Sequence, residues 1–269
     1  MKSENKEISS DSDKSPVLKD VTDIHIHTAP DIKPRLESDI ETALNSKKEF
    51  MHSIVLKSHI EPTAGRAKIA SEVTGFPVFG GVVLNESVGG LNLEAVKTCA
   101  AMEGKFVWFP TISASSIKFD MNKVEDIIHV IADNNMVLLT GHLKPEEIFK
   151  LIDLAHGQGI WKIVVNHPFA GVVSATLEEQ KEMSKHAFLE HCYVTCMEKH
   201  QNLDPLNIKN SIRKVGADRC IMATDFGQKH NHSPSHGMKM YIKTMEDMGL
   251  KKTEIQRMSI RNPKNLIYK

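Results

Sequence analysis

The chain has no surplus of charge. Its 34 lysines and arginines match 34 aspartates and glutamates, so its net electrostatics draw it to neither a nucleic acid nor an anionic membrane. It has no long apolar run either. Stretches such as Val78 to Leu84 fall far short of the roughly 20 residues that span a bilayer. Cysteines are few: Cys99, Cys192, Cys196 and Cys220 are scattered through 269 residues. That excludes the dense disulfide framework of a small secreted domain and suits a reducing compartment. Cys192 and Cys196 fall in a stretch that reads as strand, and are expected to be small buried apolar residues rather than a redox or metal pair. Residues 1–20 lack the apolar segment of a secretory signal. They are rich in Ser, Lys, Asp and Glu, and read as a disordered tail. The expected location is cytoplasmic.

Histidine is what the chain has in excess. There are 14, nearly as many as the 15 glycines, and imidazole is both the commonest metal ligand and the physiological acid–base group.

From residue 21 onward, secondary structure repeats although sequence does not. Short apolar, β-branched runs start near Val21, Ser53, Val78, Phe106, Met136, Trp161, Phe188 and Cys220. Segments of helical periodicity lie between them, among them Ala64–Glu72, Val124–Asp133 and Pro145–His156. Lys144-Pro145-Glu146-Glu147 places proline and two acids in a first turn, as the helix dipole favours, and glycines such as Gly75, Gly159 and Gly249 stand where helices stop. Strands alternating with helices mean βαβ units and a parallel sheet. Eight such units in about 250 residues predict a closed (β/α)8 barrel, a TIM barrel. An open doubly wound sheet is the alternative, but it normally carries a glycine-rich phosphate loop after its first strand. Here Thr28-Ala29-Pro30-Asp31 follows instead. No Pro-, Gly- or Ser-rich linker divides residues 21–269, which read as one domain.

In such a barrel chemistry sits where strands end. The first run ends His25-Ile26-His27, and a period of two sends both imidazoles to one side. The fifth run ends in His142, the sixth in His167 and the eighth in Asp225. A barrel gathers these ends into one pocket, and neutral imidazoles converging with a carboxylate suit a divalent metal such as zinc. His25, His27, His142, His167 and Asp225 are therefore the candidate ligands.

This pattern resembles the metal signature of the amidohydrolase superfamily. Asn262-Pro263-Lys264-Asn265-Leu266 resembles that superfamily's closing Asn-Pro-Ala-x-x-Leu segment. His27-Thr28-Ala29-Pro30-Asp31, Val55-Leu56-Lys57-Ser58-His59, Pro62-Thr63-Ala64-Gly65-Arg66-Ala67 and the stretch Leu84 to Asn92 look like a poorly characterised amidohydrolase-like branch. The resemblance covers roughly residues 21–269 and implies a metal-dependent hydrolase. PHP phosphoesterases also begin with His-x-His, but their last motif is Asp-x-His, whereas Asp225-Phe226-Gly227 stands here. Binuclear amidohydrolases carry a bridging carboxylated Lys or a Glu at the end of the fourth strand. The fourth run, Phe106 to Ser113, has neither, which favours one ion over two. Lys57 ends the second run; carboxylated, it would bridge two metals from a different strand, and its other readings are a snorkelling or ion-paired lysine or an unmodified amine working at the site.

The ligand set implies a reaction. A metal lowers the pKa of bound water towards 7. Asp225 is the candidate base, and whichever of His142 and His167 is not a ligand would polarise the substrate oxygen. The two remain exchangeable in this respect; His167 is the candidate catalytic residue of the pair. Arg35, Lys57, His59, Arg66 and Thr111 fall on the loops after strands and would make the mouth cationic, suiting a carboxylate or phosphate on a small substrate. Glu190 is a weaker candidate for the pocket. The loop holding His230, His232 and His236 reads either as a lid or as a solvated loop. A hydrolase of an amide, lactone, cyclic imide or ester is the leading reading, with a one-metal lyase (decarboxylase or hydratase) second. A non-enzymatic metal protein fits the polar mouth poorly. A homo-oligomer is compatible with the sequence.

Overall fold

The computed structural model describes residues 17–269, so the expected tail lies outside the described residues up to position 16. Leu18 is fully buried. The packed chain therefore starts ahead of the expected boundary at Val21.

Among the described residues nine short strands, all paired in parallel, build the centre: β1 (Thr22–Ile26), β2 (Ser53–Leu56), β3 (Val78–Phe79), β4 (Gly81–Val83), β5 (Phe106–Trp108), β6 (Val137–Leu139), β7 (Ile163–Asn166), β8 (Phe188–Cys192) and β9 (Cys220–Ala223). Trp161 precedes β7 and is half-exposed. Cys196 lies in a 3-10 turn after β8 rather than in a strand, and is only partly buried. The other three cysteines are buried.

β1–β2–β3 and β4 through β9 form two ladders, and both gaps between them are bridged. β3 and β4 are one barrel strand interrupted at Gly80. The interruption is filled by Thr63, whose hydroxyl donates to Leu56 O (2.7 Å) and accepts from Gly81 N (2.9 Å). A side chain at Gly80 would strike Thr63, and one at Gly81 would strike the Phe106 carbonyl; only glycine admits so close an approach. The other gap closes where Asp225 N donates to His25 O (2.9 Å) and His27 N to Phe226 O (2.8 Å). Asp23 reinforces that seam. Its buried carboxyl accepts from Thr224 N, Thr224 Oγ1 and His25 N, and burial pushes its pKa up to about 7 against those hydrogen bonds. The fold is thus an eight-position parallel α/β barrel.

Among the described residues ten helices surround the strands: α1 (Asp39–Lys48), α2 (Ala64–Thr74), α3 (Leu93–Ala101), α4 (Met121–Asp133), α5 (Pro145–Gly157), α6 (Leu177–Met183), α7 (Pro205–Val215), α8 (Pro234–Asp247), α9 (Lys252–Gln256) and α10 (Asn262–Tyr268). α4 shows why they form. Asp120 caps it by accepting from Asn122 N and Lys123 N, and Val124, Ile127, Ile128 and Ile131 repeat at helical spacing on its buried face. Each such side chain contributes about 2 kcal/mol on burial. α10 closes the barrel's far end: Asn262 Nδ2 donates to Ala217 O (2.9 Å) and Cys220 O (2.7 Å) at the start of β9.

Candidate metal centre

β1 delivers two imidazoles and the turn after β9 one carboxylate. His25 Nε2 lies 3.3 Å and His27 Nε2 3.1 Å from Asp225 Oδ1, and the three donor atoms all fall within 4.8 Å of one another. Asp225 reaches this place with φ at +55°, and His167, at the end of β7, with φ at +24°. Left-handed backbone at two non-glycine strand ends is costly and concentrates where side chains are aimed for function.

Burial lowers the pKa of His27 to about 4, against the pull of Asp225. It lowers His167 to about 4 and His142 to about 2 as well, with neighbouring cations adding to the effect at His142. His59 falls further still, for the same first reason. Burial alone would raise Asp225, but the charges of His25, His27 and Lys57 and the His27 hydrogen bond hold it well below the ordinary carboxylate range. Two imidazoles and one carboxylate at these separations make a nitrogen–oxygen donor set of the kind that takes zinc. The residues therefore fit a divalent ion.

A second ring of contacts fixes the first. His25 Nδ1 donates to Glu190 Oε2 at 3.1 Å, and that oxygen also accepts from Asn166 Nδ2 at 2.6 Å. The proton on Nδ1 leaves Nε2 free to bind metal. Glu190 is fully buried. Burial would raise its pKa, but His25 and the two hydrogen bonds lower it overall. Cys192 Sγ sits 3.6 Å from His25 Nδ1, but burial pushes this thiol well up, so it packs as a neutral group. Arg35 differs in its effect. Its Nη2 is 3.3 Å from His27 Nδ1, and a guanidinium can only donate. His27 then carries its proton on Nε2, and metal binding requires that tautomer to switch and this long contact to loosen.

The structure sorts the remaining candidates. A cavity of about 200 Å³ opens over the donor group, lined by Lys33, Arg35, Lys57, His59 and His142 among others. His142 and His167 stand beside each other, rings 4.9 Å apart, with His167 6.0 Å from His25. They adjoin the three-donor cluster without belonging to it. Lys57 is buried, with Nζ 3.0 Å from His25 Nε2; burial lowers its pKa although Asp225 and Glu190 oppose this. Thr111 is bound to His59, Oγ1 to Nδ1 at 2.8 Å. Arg66 is held elsewhere: its fork clasps Asp39 through Nε and Nη2, both at 2.8 Å, and reaches Glu61. Arg35 is likewise anchored by Asp31, 2.7 Å away. Of the loop histidines, His230 meets His200, Nε2 to Nε2 at 3.1 Å, and His200 lines the cavity.

Three residues that the sequence did not single out organise the site. Asn166 joins Glu190 to the backbone, its Oδ1 accepting from Gly141 N at 2.8 Å. Asn85 accepts from Thr111 N (2.8 Å) and donates to Thr111 Oγ1 (2.7 Å) and His59 O (2.8 Å). Trp108 lies under Lys57, 5.9 Å from Nζ to ring centroid. Asn166 stands immediately before His167 at a strand end, which is the one signal that would have marked it.

The family model described as a family of unknown function (DUF6282) matches residues 20–122 and 118–190. The chain belongs to that family. No curated protein matches it at the level of sequence. Solved structures resemble it along nearly their whole length. A probable 2-pyrone-4,6-dicarboxylic acid hydrolase from Acinetobacter baumannii, with citric acid bound, is 14% identical, with 92% of this chain and 99% of that one covered and a TM-score of 0.66. A mutant organophosphorus hydrolase from Deinococcus radiodurans is 12% identical over 94% and 95%, with a TM-score of 0.67. An amidohydrolase from Pseudomonas aeruginosa is 10% identical over 93% and 95%, with a TM-score of 0.70. At such identities the likeness establishes a shared fold, the parallel α/β barrel.

Proposed function

We propose that this DUF6282 chain is a metal-dependent hydrolase of a small anionic molecule. The observation that carries this reading is the convergence of His25 Nε2, His27 Nε2 and Asp225 Oδ1 at the C-terminal mouth of the barrel. A bound divalent ion, zinc for this donor set, would supply a water acidic enough to ionise near neutral pH.

The chain's own groups do the rest. Glu190 and Asn166 hold the His25 ring in position. Asp225 is held ionised by its cationic neighbours, and its carboxylate would accept a proton from water held beside it and return it to the leaving group. His142 or His167 donates to the substrate oxygen. Arg35 and Lys33 at the cavity wall take up negative charge on the substrate. The citric acid in the A. baumannii structure accords with an anionic ligand in a barrel of this shape.

One feature favours a second reading. No acid or lysine follows β5 to bridge two ions, since Phe109, Pro110 and Thr111 stand there. A single-ion site also suits a lyase, and release of CO₂ without consumption of water would identify one. No helix among the described residues is long and apolar enough to cross a membrane, and a small soluble substrate in the cytoplasm fits the chain's composition.

Metal analysis of the purified protein together with a panel of lactones, amides and esters tests the proposal. One ion per chain is expected, with His25→Ala and His27→Ala losing it. Asp225→Asn is expected to keep metal and lose turnover. Full activity in Asp225→Asn would remove its role as base, and a folded wild-type protein that takes up no metal would overturn the reading.

A further inference from the structure

A second cavity, of about 900 Å³, lies beside the metal pocket between the loops after β5, β6 and β7, and His142 lines both. Its size is that of a site for a drug-sized ligand. Its walls are largely apolar: Ile112, Ile117, Phe119 and Val172 line it, and Ile112 and Val172 are 51% and 45% exposed. Two large aliphatic side chains left open to solvent on one cavity have no packing reason to be there. The polar rim is nearly balanced. Lys118, Lys144 and Lys150 face Glu146 and Glu147, whereas the metal pocket gathers Lys33, Arg35 and Lys57.

We propose that the substrate has two parts: an anionic, hydrolysable head for the metal pocket and an uncharged apolar tail for this groove. The inference rests on the hydrolase reading and adds the substrate class. The two cavities adjoin at His142, so a tail leaving the reacting bond past that residue would reach Ile112 and Val172. Residues 1–16 are a poor alternative occupant, since Met1, Ile8 and Val17 beyond them are separated by polar residues.

Straight-chain carboxylates probe this without requiring turnover. Acetate, butyrate, hexanoate and octanoate are titrated into the zinc-loaded protein by calorimetry. Affinity is expected to rise about two- to fourfold per methylene until the groove is filled, making octanoate at least tenfold tighter than acetate. Ile112→Asp and Val172→Asp alter exposed positions outside the metal site, and are expected to flatten the series while leaving acetate unchanged. Ile69→Asp, at a 60% exposed position on α2, is expected to keep the full slope. Acetate that binds with no dependence on chain length would overturn the two-part substrate while leaving the hydrolase reading intact. A protein that dimerises through the groove, with Ile112→Asp restoring the monomer, would also overturn it. A zinc-loaded protein that binds none of the four would overturn the two-part substrate, head and tail together, while turnover of the lactone, amide and ester panel would still decide the hydrolase reading.

Discussion

His25 and Glu190 stand 165 positions apart in the chain and share one buried hydrogen bond, 3.1 Å from Nδ1 to Oε2. The contact crosses the barrel interior from β1 to β8. It decides which imidazole nitrogen faces the pocket, and it ties the geometry of the donor group to the closure of the barrel. Asn166, at the end of the neighbouring strand β7, fixes the carboxylate from the other side. A site built this way is rigid only because the seam between β1 and β9 is closed, and Asp23 and Thr224 close it.

Glu190→Gln removes the negative charge that favours a proton on His25 Nδ1 while keeping nearly the same volume. Zinc affinity is expected to fall ten- to a hundredfold, with the melting temperature changed far less than by a cavity-forming substitution. Competition with a chromophoric chelator measures it. An unchanged zinc affinity would show that Glu190 packs against His25 without orienting it.

Arg35 is expected to separate metal binding from anion binding. Its guanidinium opposes a cation at the donor group and holds His27 in the tautomer that cannot bind metal through Nε2. Arg35→Met should therefore tighten zinc binding roughly three- to tenfold and weaken acetate binding to the zinc-loaded protein. Calorimetry with each ligand reads both, and two changes of the same sign would contradict the geometry.

Much of the barrel was legible because its signals are local. Runs of β-branched residues, helix caps and helix-stopping glycines each act within a few positions, so eight βα units and most strand starts could be placed. The strand-end residues His25, His27 and Asp225 were legible for a related reason: a barrel topology assigns strand ends to one mouth without any distance being known. What stayed hidden depends on contacts across the fold. Thr63 filling the gap at Gly80, Asn166 serving Glu190 and Asn85 pinning Thr111 are each a polar group paired with something distant in sequence. Arg66 shows the same limit. Its position soon after β2, in the first turn of α2, suggested the mouth, but Asp39 at the start of α1 claims its fork, and no local signal foretells that pairing.

Gly141 tests how tightly the loop that carries His142 is set. Its φ is +63°, and an added Cβ would overlap the carbonyl oxygens of Phe109 and Pro110. Gly141→Ala therefore meets backbone strain and a steric clash together, and is expected to cost about 2–4 kcal/mol in urea unfolding. A loss under about 1 kcal/mol would mean that the loop relaxes freely. His142 would then not be held in place by the Gly141–Asn166 hydrogen bond.

His191 gives a pH dependence separate from the donor group. It is buried against Phe169, rings 5.9 Å apart, and neither ring nitrogen has a hydrogen-bond partner. Burial lowers its pKa to about 4, although Glu190 pulls the other way. Between that value and the ordinary 6.5 of an unfolded histidine, the unfolded chain binds the extra proton, so stability rises with pH across this window and levels off above it. Lowering the pH from 7.5 to 5 should therefore remove about 2 kcal/mol through this residue alone. His191→Leu replaces the imidazole with a side chain that does not titrate. Urea unfolding of metal-stripped protein at both pH values should show the variant losing about 2 kcal/mol less than wild type on acidification. Equal losses would show that His191 finds a partner for its proton in the folded protein.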